Sequence, residues 1–132
     1  MGAWGHGSFD NDDAQDWLFE LTESADGQAL EAAVTAVDSD EYLEATECNI
    51  ALAAAEIVAA IHLGDDENLP EEVRAWVEEN DIGVSTEQVS AAAVAVAKIR
   101  LDSELQELWE DSEEYDAWVA LVSNLEANLM AG

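Results

Sequence analysis

The chain has 132 residues, of which 49% are hydrophobic, and its net charge is −29 because 32 acidic residues stand against three basic ones. This length fits one domain, and this apolar fraction supplies a core that a disordered acidic tail would lack. Nucleic acids and anionic membranes both require clustered cations, so neither is expected as a partner.

The acidity itself predicts a cytoplasm rich in salt. A strongly charged surface repels itself, and molar salt shortens the Debye length to about 3 Å, which screens most of that repulsion. The N-terminus lacks the basic region and apolar stretch of a signal peptide. The apolar run from Ile50 to Leu63 is shorter than the roughly 20 residues of a membrane-spanning helix. We therefore expect a cytoplasmic protein.

The elements follow in chain order. Residues 1–9 are rich in glycine and show no helical pattern, so we expect an ordered, non-helical lead-in. Asp10 is a good N-cap for a first helix, and a second helix precedes the turn at residues 38–40. Apolar residues recur at helical spacing in the first helix: Ala14, Trp17, Leu18 and Leu21.

The central helix is predicted from Glu41 to Leu63, and Gly64 ends it. Pro70 opens a short helix as its first residue. Capping-box spacing starts the next two helices (Ser85 with Gln88, Ser103 with Gln106), and Ser112 caps the last one. No segment alternates with period two. The prediction is an all-α fold, a single compact bundle of about six or seven helices that forms one domain over residues 1–132.

A motif at the N-terminus carries a family resemblance. The segment reads Gly2-Ala3-Trp4-Gly5-His6-Gly7-Ser8-Phe9, with Asp10 and Trp17 after it. It resembles the start of domain-of-unknown-function family 4259, which typically reads Gly-x-Trp-Gly-x-Gly-x-Phe before an acidic helix start and an aromatic residue. His6 stands where that family more often has a small residue. The resemblance covers nearly the whole chain and implies a small helical protein, but no activity.

The same motif has two interpretations. Gly5 and Gly7 permit tight turns that let Trp4 and Phe9 pack on the bundle, or the segment forms a surface for a partner. A phosphate loop is excluded because no Lys follows and the helix begins with carboxylates, starting at Asp10.

Two charges lie at unexpected positions. Arg100 shares a helical arc with Val89 and Val96, and Glu56 lies on the most apolar helix. A buried ion without a counterion is strongly unfavourable, so we predict that Arg100 and Glu56 pair. The alternative is that Arg100 extends to solvent and Glu56 lies at the edge of the core.

Few residues are candidates for catalysis or for metal binding. His6, Cys48 and His62 do not have the spacing of a zinc site, and the serines lack a recognisable nucleophile motif, so no cofactor, metal or catalytic residue is predicted. We interpret the chain as a non-enzymatic protein-interaction module adapted to high salt. Alternatives are an immunity- or antitoxin-like inhibitor of a basic partner, a small hydrolase whose residues converge only in space, and a homo-oligomer. In the homo-oligomer, tryptophans near both ends of the chain would mediate self-association: Trp4, Trp17, Trp109 and Trp118.

Overall fold

A computed structural model describes residues 12–23, 28–35, 44–64, 69–101 and 103–130. These ranges contain seven helices and no strand, which confirms the predicted all-α class and the predicted number of helices. The helices are α1 (Asp12–Glu23), α2 (Gln28–Thr35), α3 (Ala45–Leu63), α4 (Glu71–Asn80), α5 (Thr86–Leu101), α6 (Glu104–Glu110) and α7 (Tyr115–Met130).

Helix α3 is the centre of the bundle. It packs against α1, α2, α5, α6 and α7. The run from Ala51 to Ala55 is buried on all sides, since its small side chains let neighbouring helices approach closely. The described helices contribute to one hydrophobic core, whose largest fully buried side chains include Trp118, Leu21 and Ile57.

The length and composition of α3 also satisfy the criteria for a membrane-spanning helix, and among the described helices it alone does so. Half of its apolar window is buried inside the bundle. The core helix of a bundle meets the same two criteria, so this match is weak evidence for a membrane.

The helix boundaries follow the predicted caps with three differences. The predicted cap Ser112 lies three residues before α7, which begins at Tyr115, and its hydroxyl donates to the carbonyl of Trp109 at the end of α6. Ser85 and Gln88 form the predicted reciprocal capping box, and Gly64 ends α3 in the left-handed region at φ 70°. Pro70 is the N-cap of α4 and not its first helical residue, because its ψ of 147° is extended. Gln106 donates its N–H to Ser103, but its side chain contacts Glu110 and Tyr115 instead of completing a second box.

The start of α3 shows a cap that comes from another part of the chain. The helix begins at Ala45, whereas the predicted start at Glu41 lies outside the described residues. Glu44 provides no side-chain cap. The backbone N–H of Ala45 instead donates to Oε1 of Glu104 on α6, at 2.8 Å. A carboxylate at a helix N-terminus is favourable, so this contact joins α3 to α6.

Three of the four tryptophans proposed for self-association are core residues, which makes that interpretation wrong for them. Trp17, Trp109 and Trp118 are buried within one chain, and Trp4 lies outside the described residues. The rings of Trp109 and Trp118 stack with centroids 6.5 Å apart, and Tyr115 stacks on Trp118 at 6.3 Å. The Trp109–Trp118 pair joins α6 to α7, and the Tyr115–Trp118 pair lies within α7.

Candidate interaction surface

The structure describes only part of the predicted set of site residues. Both interpretations of the N-terminal motif stay predictions, because its residues lie outside the described part of the chain: Trp4, Gly5, His6, Gly7, Phe9 and Asp10. Trp17 is 9% exposed and belongs to the core face of α1.

Arg100 forms its ion pair with Glu126 on α7, and not with Glu56 as the sequence predicted. Its Nε and one terminal nitrogen both donate to Oε1 of Glu126, at 3.2 and 2.9 Å. The two side chains are 27% and 21% exposed, so the pair lies at the edge of the core. Glu56 is half-buried on α3 and makes an interaction of its own.

Cys48 is a packing residue. Its side chain is fully buried, and burial is the main cause that raises the pKa of the thiol from 9.0 to about 11. Hydrogen bonds with Ser103 and with the backbone of Leu105 oppose that rise in pKa, and the nearby carboxylates of Glu47 and Glu104 add a smaller contribution to it. The nearby carboxylates are therefore a minor cause of the raised pKa. A buried neutral thiol is a poor nucleophile.

The outward face of α5 has a regular pattern. Its opposite face, which includes Ala92, Val96 and Ile99, is buried against the bundle. On the outward side, Val94 is 53% exposed and Leu101 is 67% exposed. They recur with two small residues at spacings of four, three and four along the helix. We call these four positions the α5 ridge: Ser90, Val94, Ala97 and Leu101.

A groove lies on each side of the ridge. The first, of about 680 Å³, separates α5 from the end of α7, and its lining includes Val94, Ala97, Met130 and the exposed His62 at the end of α3. The second, of about 290 Å³, lies between α5 and α2, and Ala91 and Val34 are among its lining residues. Helices pack by placing the ridges of one in the grooves of the other, so a ridge with a groove on each side matches the surface of another helix.

The ridge is also unusual in its charge. Every described helix carries at least one carboxylate, yet the run from Gln88 to Leu101 contains none and is the longest such run in the chain. Two of the three basic residues, Lys98 and Arg100, lie in the last turn of α5. The ridge itself is therefore free of carboxylates, whereas Glu126 lines the larger groove and Glu31 and Glu87 line the smaller one.

The site chemistry within the described ranges is limited. These residues contain no group of three or more His, Cys, Asp and Glu side chains that could hold a metal ion. The larger groove brings His62 and Glu126 to one lining, but Glu126 is already the partner of Arg100. The arrangement offers apolar contact and shape more than it offers reactive groups.

Sequence reasoning missed the ridge because it treated α5 as an inward-facing helix. Val89 and Val96 are indeed buried, but Arg100 of the same predicted face is only half-buried. A useful signal was present in the sequence. A long carboxylate-free run in a chain of net charge −29 indicates a segment that does not share the acidity of the rest of the surface.

Comparison with known proteins gives a family and no activity. The model of the family described as Domain of unknown function (DUF4259) matches residues 2–120, which include the whole α5 ridge. No curated protein and no solved structure matches the chain.

Proposed function

The chain belongs to the DUF4259 family of unknown function, and we propose that it is a non-enzymatic protein-interaction module whose docking surface is the α5 ridge with its two grooves. The observation that carries this proposal is the exposed, carboxylate-free face of α5 on an intensely acidic chain. Exposed apolar surface is costly to keep in water, and contiguous patches of it commonly mark interaction sites.

We further propose that the protein works in the salt-rich cytoplasm of a halophilic organism. In support, carboxylates are spread over all seven described helices instead of being gathered on one face. A recognition site for one basic partner would concentrate them, whereas adaptation to solvent distributes them. This distribution also weighs against the immunity- or antitoxin-like alternative, in which acidic groups would cluster opposite the partner's cations.

The hydrolase alternative has less support. Its best nucleophile, Cys48, is buried with a raised thiol pKa, and His62 lines an open groove beside Glu126, which is already paired. Acid–base catalysis needs such groups within hydrogen-bond reach of one another and of a substrate.

The docking surface can be tested with a model peptide as the probe. A neutral amphipathic helix with leucine and alanine on one face carries no charge that the acidic surface could attract nonspecifically. We expect it to bind the protein in about 3 M KCl, measured by fluorescence anisotropy, a salt level at which surface charges are screened. Val94→Glu places a charge on the ridge and should weaken binding at least tenfold, because a buried charge without a counterion is unfavourable.

The matched control is Phe19→Glu. Phe19 is 68% exposed on α1, so this variant removes an apolar side chain that is more exposed than Val94 from another face. Binding that is unchanged in the Phe19 variant and lost in the Val94 variant would support the proposal. No binding to the native protein at a concentration where it is monomeric, or equal loss in both variants, would refute the ridge as a docking surface.

A further inference from the structure

We infer that the partner at the α5 ridge is a second copy of this chain, bound antiparallel so that the two ridges form the interface. The inference rests on the proposed function, since it names the occupant of the same surface. Three properties of the ridge lead to it: the spacing of its residues, the order of their sizes and its charge.

The spacing is that of a coiled-coil seam. Intervals of four, three and four residues place the ridge positions along one line of the helix, as the core positions of a heptad do. The flanks next to this line include Ala91 and Ala93, which are small and half-buried and let a second helix approach closely. A single helix with such a line on its outside lacks the facing helix that the pattern requires.

The order of sizes makes the ridge complementary to itself. Small and large residues alternate along it as Ser90, Val94, Ala97 and Leu101. When two copies pair antiparallel about the middle of the ridge, Val94 faces Ala97 of the second copy and Leu101 faces Ser90. Every layer then combines one large and one small side chain, and the arrangement is two-fold symmetric, as the interface of a cyclic dimer must be.

Charge also favours this face for self-association. Two copies with a net charge of −29 each repel one another, and contact through most helices would bring carboxylates face to face. The ridge avoids that cost because no carboxylate lies between Gln88 and Leu101. Self-association should therefore strengthen as salt screens the remaining repulsion, whereas binding of a basic partner would weaken with salt.

The short length of the ridge determines the expected affinity of the dimer. Four layers, each with one ridge residue from each copy, make an interface at the small end of specific protein contacts, so the dimer should be weak and depend on concentration. Exposed Met130 beside the ridge adds apolar contact on the α7 side.

Cysteine cross-linking tests the orientation. Ser90→Cys and Leu101→Cys are prepared separately, and an oxidant is added in about 3 M KCl. An equimolar mixture should form a disulfide-linked dimer, because residues 90 and 101 face one another. Each variant alone should stay uncross-linked, because like positions would lie roughly 16 Å apart along the helix axis, beyond the reach of a disulfide. The native Cys48 does not interfere, since it is fully buried.

Analytical ultracentrifugation of the native chain provides the reversible measurement. We expect the dimer fraction to rise between about 0.5 and 3 M KCl, because salt screens the repulsion between copies. Val94→Glu should weaken dimerisation at least tenfold, because it buries a charge in the interface. Phe19→Glu should leave dimerisation unchanged. Circular dichroism of the same samples confirms that each variant is folded.

Several outcomes would overturn the inference. Cross-linking of either cysteine variant alone as efficiently as the mixture would exclude the antiparallel pairing. A native chain that stays monomeric at every salt concentration, yet binds the model peptide through Val94, would exclude the second copy and leave the proposed function standing. A native chain that stays monomeric and also fails to bind the peptide would refute both the dimer and the proposed docking surface.

Discussion

Arg100 directs two hydrogen bonds at a single oxygen of Glu126, so one ion pair joins the last turn of α5 to the inner edge of α7. Both side chains are about three-quarters buried. The pair therefore neutralises a carboxylate and a guanidinium directly beside the proposed docking surface, since Glu126 also lines the larger groove.

A double-mutant cycle should assign this pair a modest energy. Arg100→Gln, Glu126→Gln and the double variant are compared by urea unfolding, and we expect a coupling free energy of about 0.5–1 kcal/mol, which partial exposure keeps small. The coupling should decrease between low and high KCl because salt screens a partly exposed pair. The same cycle with Arg100 and Glu56 should give no coupling. An appreciable coupling there would contradict the observed partner.

Ser103 should be the most costly helix cap to remove. Its buried hydroxyl donates to the carbonyl of Ile99 at 2.7 Å and accepts the N–H of Gln106 at 3.0 Å. Ser103→Ala should lower the free energy of unfolding by about 2 kcal/mol, because the loss leaves a partly buried donor unpaired. Ser85→Ala is the matched control, since it removes an exposed cap and should cost about 0.5–1 kcal/mol. Equal losses would show that burial adds nothing to the cap.

Cys48 should make stability depend on alkaline pH. The thiol pKa is 9.0 in the unfolded reference and about 11 in the folded chain. The unfolded chain therefore loses this proton first, so the contribution of the thiol is complete below pH 9 and declines as the pH rises toward about 11. The slope should be about 1.4 kcal/mol per pH unit. Cys48→Ala should remove this slope, and other groups that titrate in the range are common to both proteins. An unchanged slope would refute the assignment.

Glu104 should protect the first turn of α3. Its carboxylate accepts the N–H of Ala45 at 2.8 Å. Glu104→Ala should accelerate hydrogen exchange at the Ala45 amide about tenfold, because a net hydrogen bond to a charged group is worth about 1.5 kcal/mol or more. Glu104→Gln retains an acceptor oxygen and should show a smaller effect. Exchange that is the same in all three proteins would show that the contact does not persist in solution.

Salt should stabilise the whole fold. We expect the melting temperature, followed by circular dichroism at 222 nm, to rise steeply between about 0.1 and 3 M KCl, because screening removes self-repulsion. Substitution of the four exposed glutamates of α4 by glutamine should raise stability at low salt and change little at high salt: Glu71, Glu72, Glu78 and Glu79. Full helicity and cooperative unfolding at low ionic strength would count against adaptation to salt.

Much of the fold could be predicted from local pattern. The apolar spacing of α1, the Ser85–Gln88 box and the stop at Gly64 depend on residues within a few positions of one another, so the sequence contains their whole cause. The partner of Arg100 and the cap of Ala45 could not be predicted in this way. Both join residues far apart in the chain, 26 positions in one case and 59 in the other.

The sequence by itself determined the helical class, the Ser85–Gln88 box, the stop at Gly64 and the net charge of −29, because composition and short-range spacing act without regard to packing. Only the tertiary structure decided which face of α5 is buried, that Trp109 and Trp118 are core residues, and that Arg100 meets Glu126. Helix α5 is apolar almost all round, so its own periodicity leaves the inward face undefined. The positions of α2, α3 and α7 around it decide which face becomes the ridge.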